Sequence, residues 1–210
     1  KNYLDFNGLA NTSASFGDAG TLLLDPTNIT ISTGVNSIES SGATTFQEAS
    51  TATSILNTTT LQNALALNNV NVTTASAAAS AGTITVANAV TWASANSLTL
   101  TANSTIAINA AITTGTAASA LILNATGNVT QSAAGIIGGA GGVVKNGAGT
   151  FTVNRTNTYT GTTTINSGTV TMGANNVFAD ASTILVNGGT LNAISRTDTV
   201  AGVRLDSGAI

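Results

Sequence analysis

The chain holds no cysteine, no histidine and a single proline among 210 residues. Without a thiolate or an imidazole, the usual zinc sites, iron–sulfur ligation and Cys–His or Ser–His nucleophile systems are excluded. Charge is scarce as well. Five basic and eight acidic side chains leave a net charge of −3 and a charged fraction of 6%, against about 25% in an ordinary soluble domain. Five scattered cations and a pI near 4.4 cannot form a cationic footprint, so no nucleic-acid partner is expected. Long apolar runs are missing too. The longest, Ala133 to Val144, is short and rich in glycine, whereas a membrane helix needs ~20 apolar residues. No signal-like run follows Lys1, and Ile210 falls within a strand-like pattern. The sequence therefore reads as a piece of a longer or processed protein. The lack of cysteine fits export without disulfides.

Ala, Gly, Ser, Thr and Asn make up about two-thirds of the chain. Disorder does not fit, because net charge is low and mean hydropathy is +0.31. Helix signals are nearly absent. The prevailing signal is period two, as in Leu65-Ala66-Leu67, Val70-Asn71-Val72, Leu98-Thr99-Leu100, Ile106-Ala107-Ile108, Phe151-Thr152-Val153 and Val170-Thr171-Met172. Such alternation places one side of a strand in a core and the other in solvent. The strands are short and separated by Gly, Asn and Ser, which tolerate turn conformations.

One opening recurs. Gly82-Thr-Ile-Thr-Val86 matches Gly149-Thr-Phe-Thr-Val153 and Gly168-Thr-Val-Thr-Met172, and more loosely Gly189-Thr-Leu-Asn-Ala193 and Gly20-Thr-Leu-Leu-Leu24. The steps from Gly149 to Gly168 and on to Gly189 are 19 and 21 residues. Repeats of ~20 residues carrying short strands predict a solenoid. The expected fold is all-β, a parallel β-helix of about ten coils of roughly 20 residues, forming a rod roughly 50 Å long at ~4.8 Å per coil. Ala is expected to fill a narrow core, with Thr on the outer faces. The rival is a string of β-sandwich modules, which would need longer strands and a bulkier aromatic core; aromatics amount to 4%.

Several segments also carry a family resemblance. Leu22-Leu-Leu-Asp-Pro-Thr-Asn-Ile-Thr-Ile31, Thr60-Leu-Gln-Asn-Ala-Leu65 with Asn71-Val-Thr73, and Gly82 to Trp92 resemble segments of filamentous-haemagglutinin-like exoproteins. So do Ser97 to Ala102 and Ile106 to Asn109. Gly147-Ala-Gly-Thr-Phe-Thr-Val153, Asn157-Thr-Tyr-Thr-Gly161 and Thr164-Ile-Asn-Ser-Gly-Thr169 look like the strand repeat of autotransporter passengers. The likeness covers about residues 20–193. It implies a right-handed parallel β-helix from a Gram-negative bacterium, exported by two-partner secretion or as an autotransporter with an outer-membrane translocator as partner. The whole of 1–210 is then one solenoid segment, less regular over 1–80, haemagglutinin-like over 81–145 and autotransporter-like over 146–210.

Residues able to carry chemistry are few. Glycan-active β-helices need clustered carboxylates. Here Glu39 and Glu48 flank a Ser/Thr-rich loop, and the remaining acids are scattered, so no catalytic residue is assigned. Arg196 with Asp198 and Arg204 with Asp206 share an i,i+2 spacing that puts both members on one strand face, which predicts surface ion pairs. No Asp-x-Asp-x-Asp run exists for calcium, and Gly138-Gly-Ala-Gly-Gly142 lacks the companions of a phosphate loop. It reads as a flexible turn. Neither metal nor cofactor is expected. The possible surface contacts are Trp92, Tyr159, Arg196 and Arg204, with packing at a coil corner as the competing reading for the two aromatics. Asn154, Asn157, Asn166, Asn187 and Asn192 suit turn bonding or ladders. The pairs Thr83/Thr85, Thr99/Thr101, Thr150/Thr152, Thr162/Thr164 and Thr169/Thr171 would form an ice-binding face if they stacked, but β-propensity alone also favours Thr there.

The functional expectation is a non-enzymatic extracellular or cell-surface β-helix. It would be a segment of an adhesin-like exoprotein or surface filament, touching a surface glycan or protein receptor. Its coils would continue in the same polypeptide or stack end to end with other copies. A polysaccharide-active β-helix and an ice-binding solenoid are the alternatives.

Overall fold

A computed structural model describes residues 21–24, 28–37, 53–74 and 82–210. Glu39 and Glu48 lie outside the described residues. The polypeptide winds as a parallel β-solenoid of about seven turns. The first elements are β1 (Thr21–Leu24), β2 (Asn28–Ser32), β3 (Thr53–Asn57), helix α1 (Thr58–Leu67) and β4 (Asn69–Thr73). Three-strand coils follow: β5 (Ile84–Val86) and β6 (Val90–Thr91) complete the coil of β4. Then come β7 (Leu98–Ala102), β8 (Ile106–Ile108) and β9 (Ile112–Thr114), followed by β10 (Ala120–Ala125), β11 (Val129–Gln131) and β12 (Ile137–Gly139). The repeat continues with β13 (Gly142–Asn146), β14 (Thr150–Val153) and β15 (Thr158–Tyr159), then β16 (Thr163–Ile165) and β17 (Thr169–Met172). It closes with β18 (Thr183–Asn192) and β19 (Gly202–Ala209).

Equivalent strands stack in parallel. The first face runs β1-β4-β7-β10-β13-β16-β18, with β19 on β18; the second runs β3-β2-β5-β8-β11-β14-β17-β18. A separate third face runs β6-β9-β12-β15. β18 serves both of the larger faces, pairing β16 through Ile184–Val186 and β17 through Thr190–Asn192.

Sequence periodicity maps directly onto this arrangement. Thr150, Thr169 and Thr190 are register partners, at the 19- and 21-residue steps of the repeat. The looser match at Thr21–Leu24 joins the first face rather than the second. There are fewer coils than the ten expected, because one turn is much longer than 20 residues: Thr21 pairs directly with Asn69. Between them the sequence adds β3 and α1 at the end of the stack. At ~4.8 Å per step, the eight strands of the first face give a rod of roughly 35 Å.

Each strand buries alternate residues. Leu98, Leu100 and Ala102 point inward while Thr99 and Thr101 stay half-exposed. The core is a column of Ile, Leu and Val, joined by Trp92, Phe151, Tyr159 and Phe178. Only three alanines, Ala64, Ala102 and Ala125, are among the buried core residues described. The expectation of an alanine-filled core is therefore corrected: three faces enclose enough volume for branched side chains, and filling it with methyls would leave cavities.

Leu65-Ala66-Leu67, which looks like strand alternation, is the last turn of α1. Asn57 provides the N-cap, its Oδ1 accepting from the backbone N–H groups of Thr59 (2.8 Å) and Thr60 (3.4 Å). Leu61, Ala64 and Leu65 form the buried face of the helix. The helix sits where a further strand of the third face would lie below β6. Gln62 Oε1 accepts from the Thr91 N–H (2.9 Å), and the Leu65 carbonyl accepts from Ser94 Oγ and Asn96 Nδ2. It thereby covers one edge of the third face.

The glycine run is not a free turn either. It comprises the end of β12, a two-residue corner and the start of β13. A side chain on Gly139 would collide with the Thr114 carbonyl of the coil below.

Candidate functional surface

The outer side of the second face carries two files of hydroxyls. One consists of Thr150, Thr169 and Thr190. The other passes through Thr30, Thr85, Ala107, Thr130, Thr152, Thr171 and Asn192 on successive strands. All of these side chains are half-buried or exposed. Thr150/Thr152 and Thr169/Thr171 thus stack as pairs. Thr99 and Thr164 instead share the first face with Ile122, Val144 and Leu185, so that face is mixed.

Along one margin of the first face runs a series of linked amides. Asn187 Nδ2 donates to Asn166 Oδ1 (3.1 Å), Asn166 Nδ2 donates to Asn146 Oδ1 (2.9 Å), and Asn124 Nδ2 donates to Thr101 Oγ1 (3.3 Å). Asn157 binds coil to coil. Its Oδ1 accepts from the Ile137 N–H and from Gln131 Nε2, both at 2.8 Å, and its Nδ2 donates to the Val177 carbonyl (3.0 Å).

The four residues singled out as surface contacts separate into two groups. Trp92 is 5% exposed, with Nε1 donating to the Asn96 carbonyl (2.7 Å). Tyr159 is 2% exposed, its hydroxyl 2.6 Å from Thr163 Oγ1. Burial pushes its phenol well above the ordinary value, although the Thr163 contact works the other way. Burial thus removes both rings from any glycan-stacking role. Arg196 and Arg204 are exposed. Arg204 pairs with Asp206 at 2.6 Å on β19, as the i,i+2 spacing on a strand requires. Arg196 and Asp198 do not pair. They lie in the connection before β19, and Asp198 Oδ2 instead accepts from the N–H groups of Val177 (2.7 Å) and Phe178 (3.0 Å).

Sequence reading missed Lys145. Its position in β13 is inward, between Leu123 and Ile165 of the adjacent coils, and it is fully buried. The ammonium donates to the Asn146 (2.6 Å) and Gly147 (2.8 Å) carbonyls. Loss of hydration lowers its pKa from 10.5 to about 8. The alternation Val143-Val144-Lys145 was the available signal, since it places Lys145 in phase with buried Val143.

At the β19 end the core opens into a cavity of about 330 Å³ lined by Met172, Phe178, Leu191, Asp198 and Val203 among others. No group of three or more metal-ligating side chains occurs among the described residues. No helix among them is long and apolar enough to cross a membrane.

No curated protein and no solved structure matches the sequence. A family match does exist, and its bounds coincide with structural ones: it runs from the first buried residue of β13 to the last residue of β17. Residues 143–172 match the passenger-associated transport repeat, a repeat of autotransporter passenger domains, here set in register within a parallel β-solenoid.

Proposed function

We propose that this protein is a non-enzymatic β-helical segment of an extracellular, autotransporter-passenger-like exoprotein. In this role it holds adhesive parts away from the cell surface. The observation that carries the reading is the continuity of the passenger repeat at 143–172 with the coils on either side. Its mechanism is mechanical. Ladder hydrogen bonds run along the axis and a single apolar column resists bending, while uncharged Thr and Asn faces need no ligand. Among the described residues no strand pairs with the outer edge of β19, where Val203 and Leu205 are about half-exposed, and this supports a further coil stacking there, from the same polypeptide or from another copy. The test is to fuse the protein to an outer-membrane translocator barrel and expose intact cells to protease. The expected result is a surface-exposed, protease-resistant fragment containing residues 82–210 that increases binding to host cells or glycans only together with its neighbouring segments. Failure to reach the surface refutes the reading.

A second reading, ice binding, is supported by the two hydroxyl files. Neighbours lie ~4.8 Å apart along the axis and ~6.7 Å apart along a strand, a grid on which ordered water can sit. Ala107 and Asn192 interrupt it. Thermal hysteresis that disappears in Thr152→Tyr would favour this reading, and its absence from the parent protein would remove it.

A further inference from the structure

The described residues include two Asn-Gly steps, Asn146-Gly147 and Asn187-Gly188, and the fold treats them differently. A glycine after asparagine leaves the peptide nitrogen unhindered. That nitrogen can attack the amide carbon of the asparagine side group whenever the local backbone can bend towards it. Asn146 is prevented from doing so. It ends β13, its Oδ1 accepts from Asn166 Nδ2, and Lys145 Nζ donates to the carbonyls of both Asn146 and Gly147. Ser167 Oγ also donates to the Gly147 carbonyl, at 3.2 Å. Asn187 is exposed, as is Gly188. The pairing of β18 with β19 shifts register on both sides of Asn187, and a single 3.1 Å bond to Asn166 holds its amide.

From this contrast we propose that Asn187 is a site of spontaneous deamidation, whereas Asn146 is protected by its coil. The Gly188 nitrogen bonds to Cγ of Asn187. The bond between Cγ and Nδ2 breaks, and Nδ2 leaves as ammonia carrying the proton lost from Gly188. Water then opens the five-membered imide at either carbonyl, giving aspartate or isoaspartate. Both products remove the donor that Asn187 offers to Asn166. The isoaspartyl form also lengthens the backbone at the corner where β18 passes from the first face to the second, which loosens β19.

The experiment follows both sites by peptide mass spectrometry while the folded protein stands in mildly alkaline buffer, with a urea-unfolded sample in parallel. In the unfolded sample the two sites react alike. In the folded protein Asn187 gains the amide-to-acid mass at least tenfold faster than Asn146, which corresponds to about 1.4 kcal/mol of extra opening free energy at Asn146. Asn187→Gln abolishes that signal, and amide exchange in β19 then stays constant during storage. Equal folded-state rates, or an Asn187 that stays intact while the unfolded control reacts, overturn the proposal.

Discussion

Replacing Lys145 with methionine tests whether a cation sits inside the apolar column. The ammonium is enclosed between Leu123 and Ile165 and bonded only to two carbonyls, with a pKa near 8 in place of 10.5. Because the folded-state value is depressed, the folded and unfolded states are both protonated below about pH 8, and stability there is independent of this group. Above it the folded state releases a proton that the unfolded state keeps until about pH 10.5, so stability rises with pH across that window. Each unit of difference is worth about 1.4 kcal/mol. We therefore expect a gain of about 1–2 kcal/mol between neutral pH and pH 9.5. The upper limit avoids ionisation of unfolded tyrosine, which would work against Tyr159 in the fold. Urea titrations followed by far-ultraviolet circular dichroism at several pH values supply the assay. Lys145→Met should lose the slope, whatever its stability at neutral pH. Parallel slopes for the two proteins would refute the placement of a charged amine in the core.

Three further outcomes follow from the same contacts. Gly149→Ala places a methyl against the Gly127 carbonyl of the coil below and should cost about 1–3 kcal/mol, read as a lower urea midpoint. Gln62→Ala removes the acceptor for the Thr91 N–H and should raise hydrogen exchange at Thr91 and its neighbours while leaving β14 to β18 unchanged. Asp198→Ala leaves the Val177 and Phe178 N–H groups without their acceptor. It should destabilise the last coils by about 1–3 kcal/mol, seen as proteolysis that begins between β17 and β19.

Much of the fold was legible because a solenoid repeats its rules. Alternation at Phe151-Thr152-Val153 and Val170-Thr171-Met172 gave the inward and outward sides, and the recurring Gly-Thr opening gave the second-face register. Short runs were less informative. Leu65-Ala66-Leu67 satisfies a strand pattern as well as a helical one, and only the Asn57 cap distinguishes them. The Arg-x-Asp spacing held for Arg204 on β19 and failed for Arg196, because shared facing requires extended backbone and Arg196 precedes the strand. Trp92 and Tyr159 border turns in sequence, yet a turn at a solenoid corner points inward as readily as outward.

The scarcity of charge has a cause in this geometry. An outward residue within the stack has counterparts one coil above and below, ~4.8 Å away, so an ionised side chain repeated along a file would repel itself. Neutral groups that both donate and accept have no such difficulty, and the Asn187–Asn166–Asn146 series satisfies each amide with the next. Among the described residues, charge therefore concentrates where the files end or turn. Arg204 and Asp206 lie on the last strand, and Asp198 lies in the connection before it. Lys145 is the exception inside the column among the described residues, and it is tolerated because the corner at Asn146 and Gly147 turns two carbonyls towards it. Its position within the passenger repeat makes that coil the place where pH enters the stability of the rod.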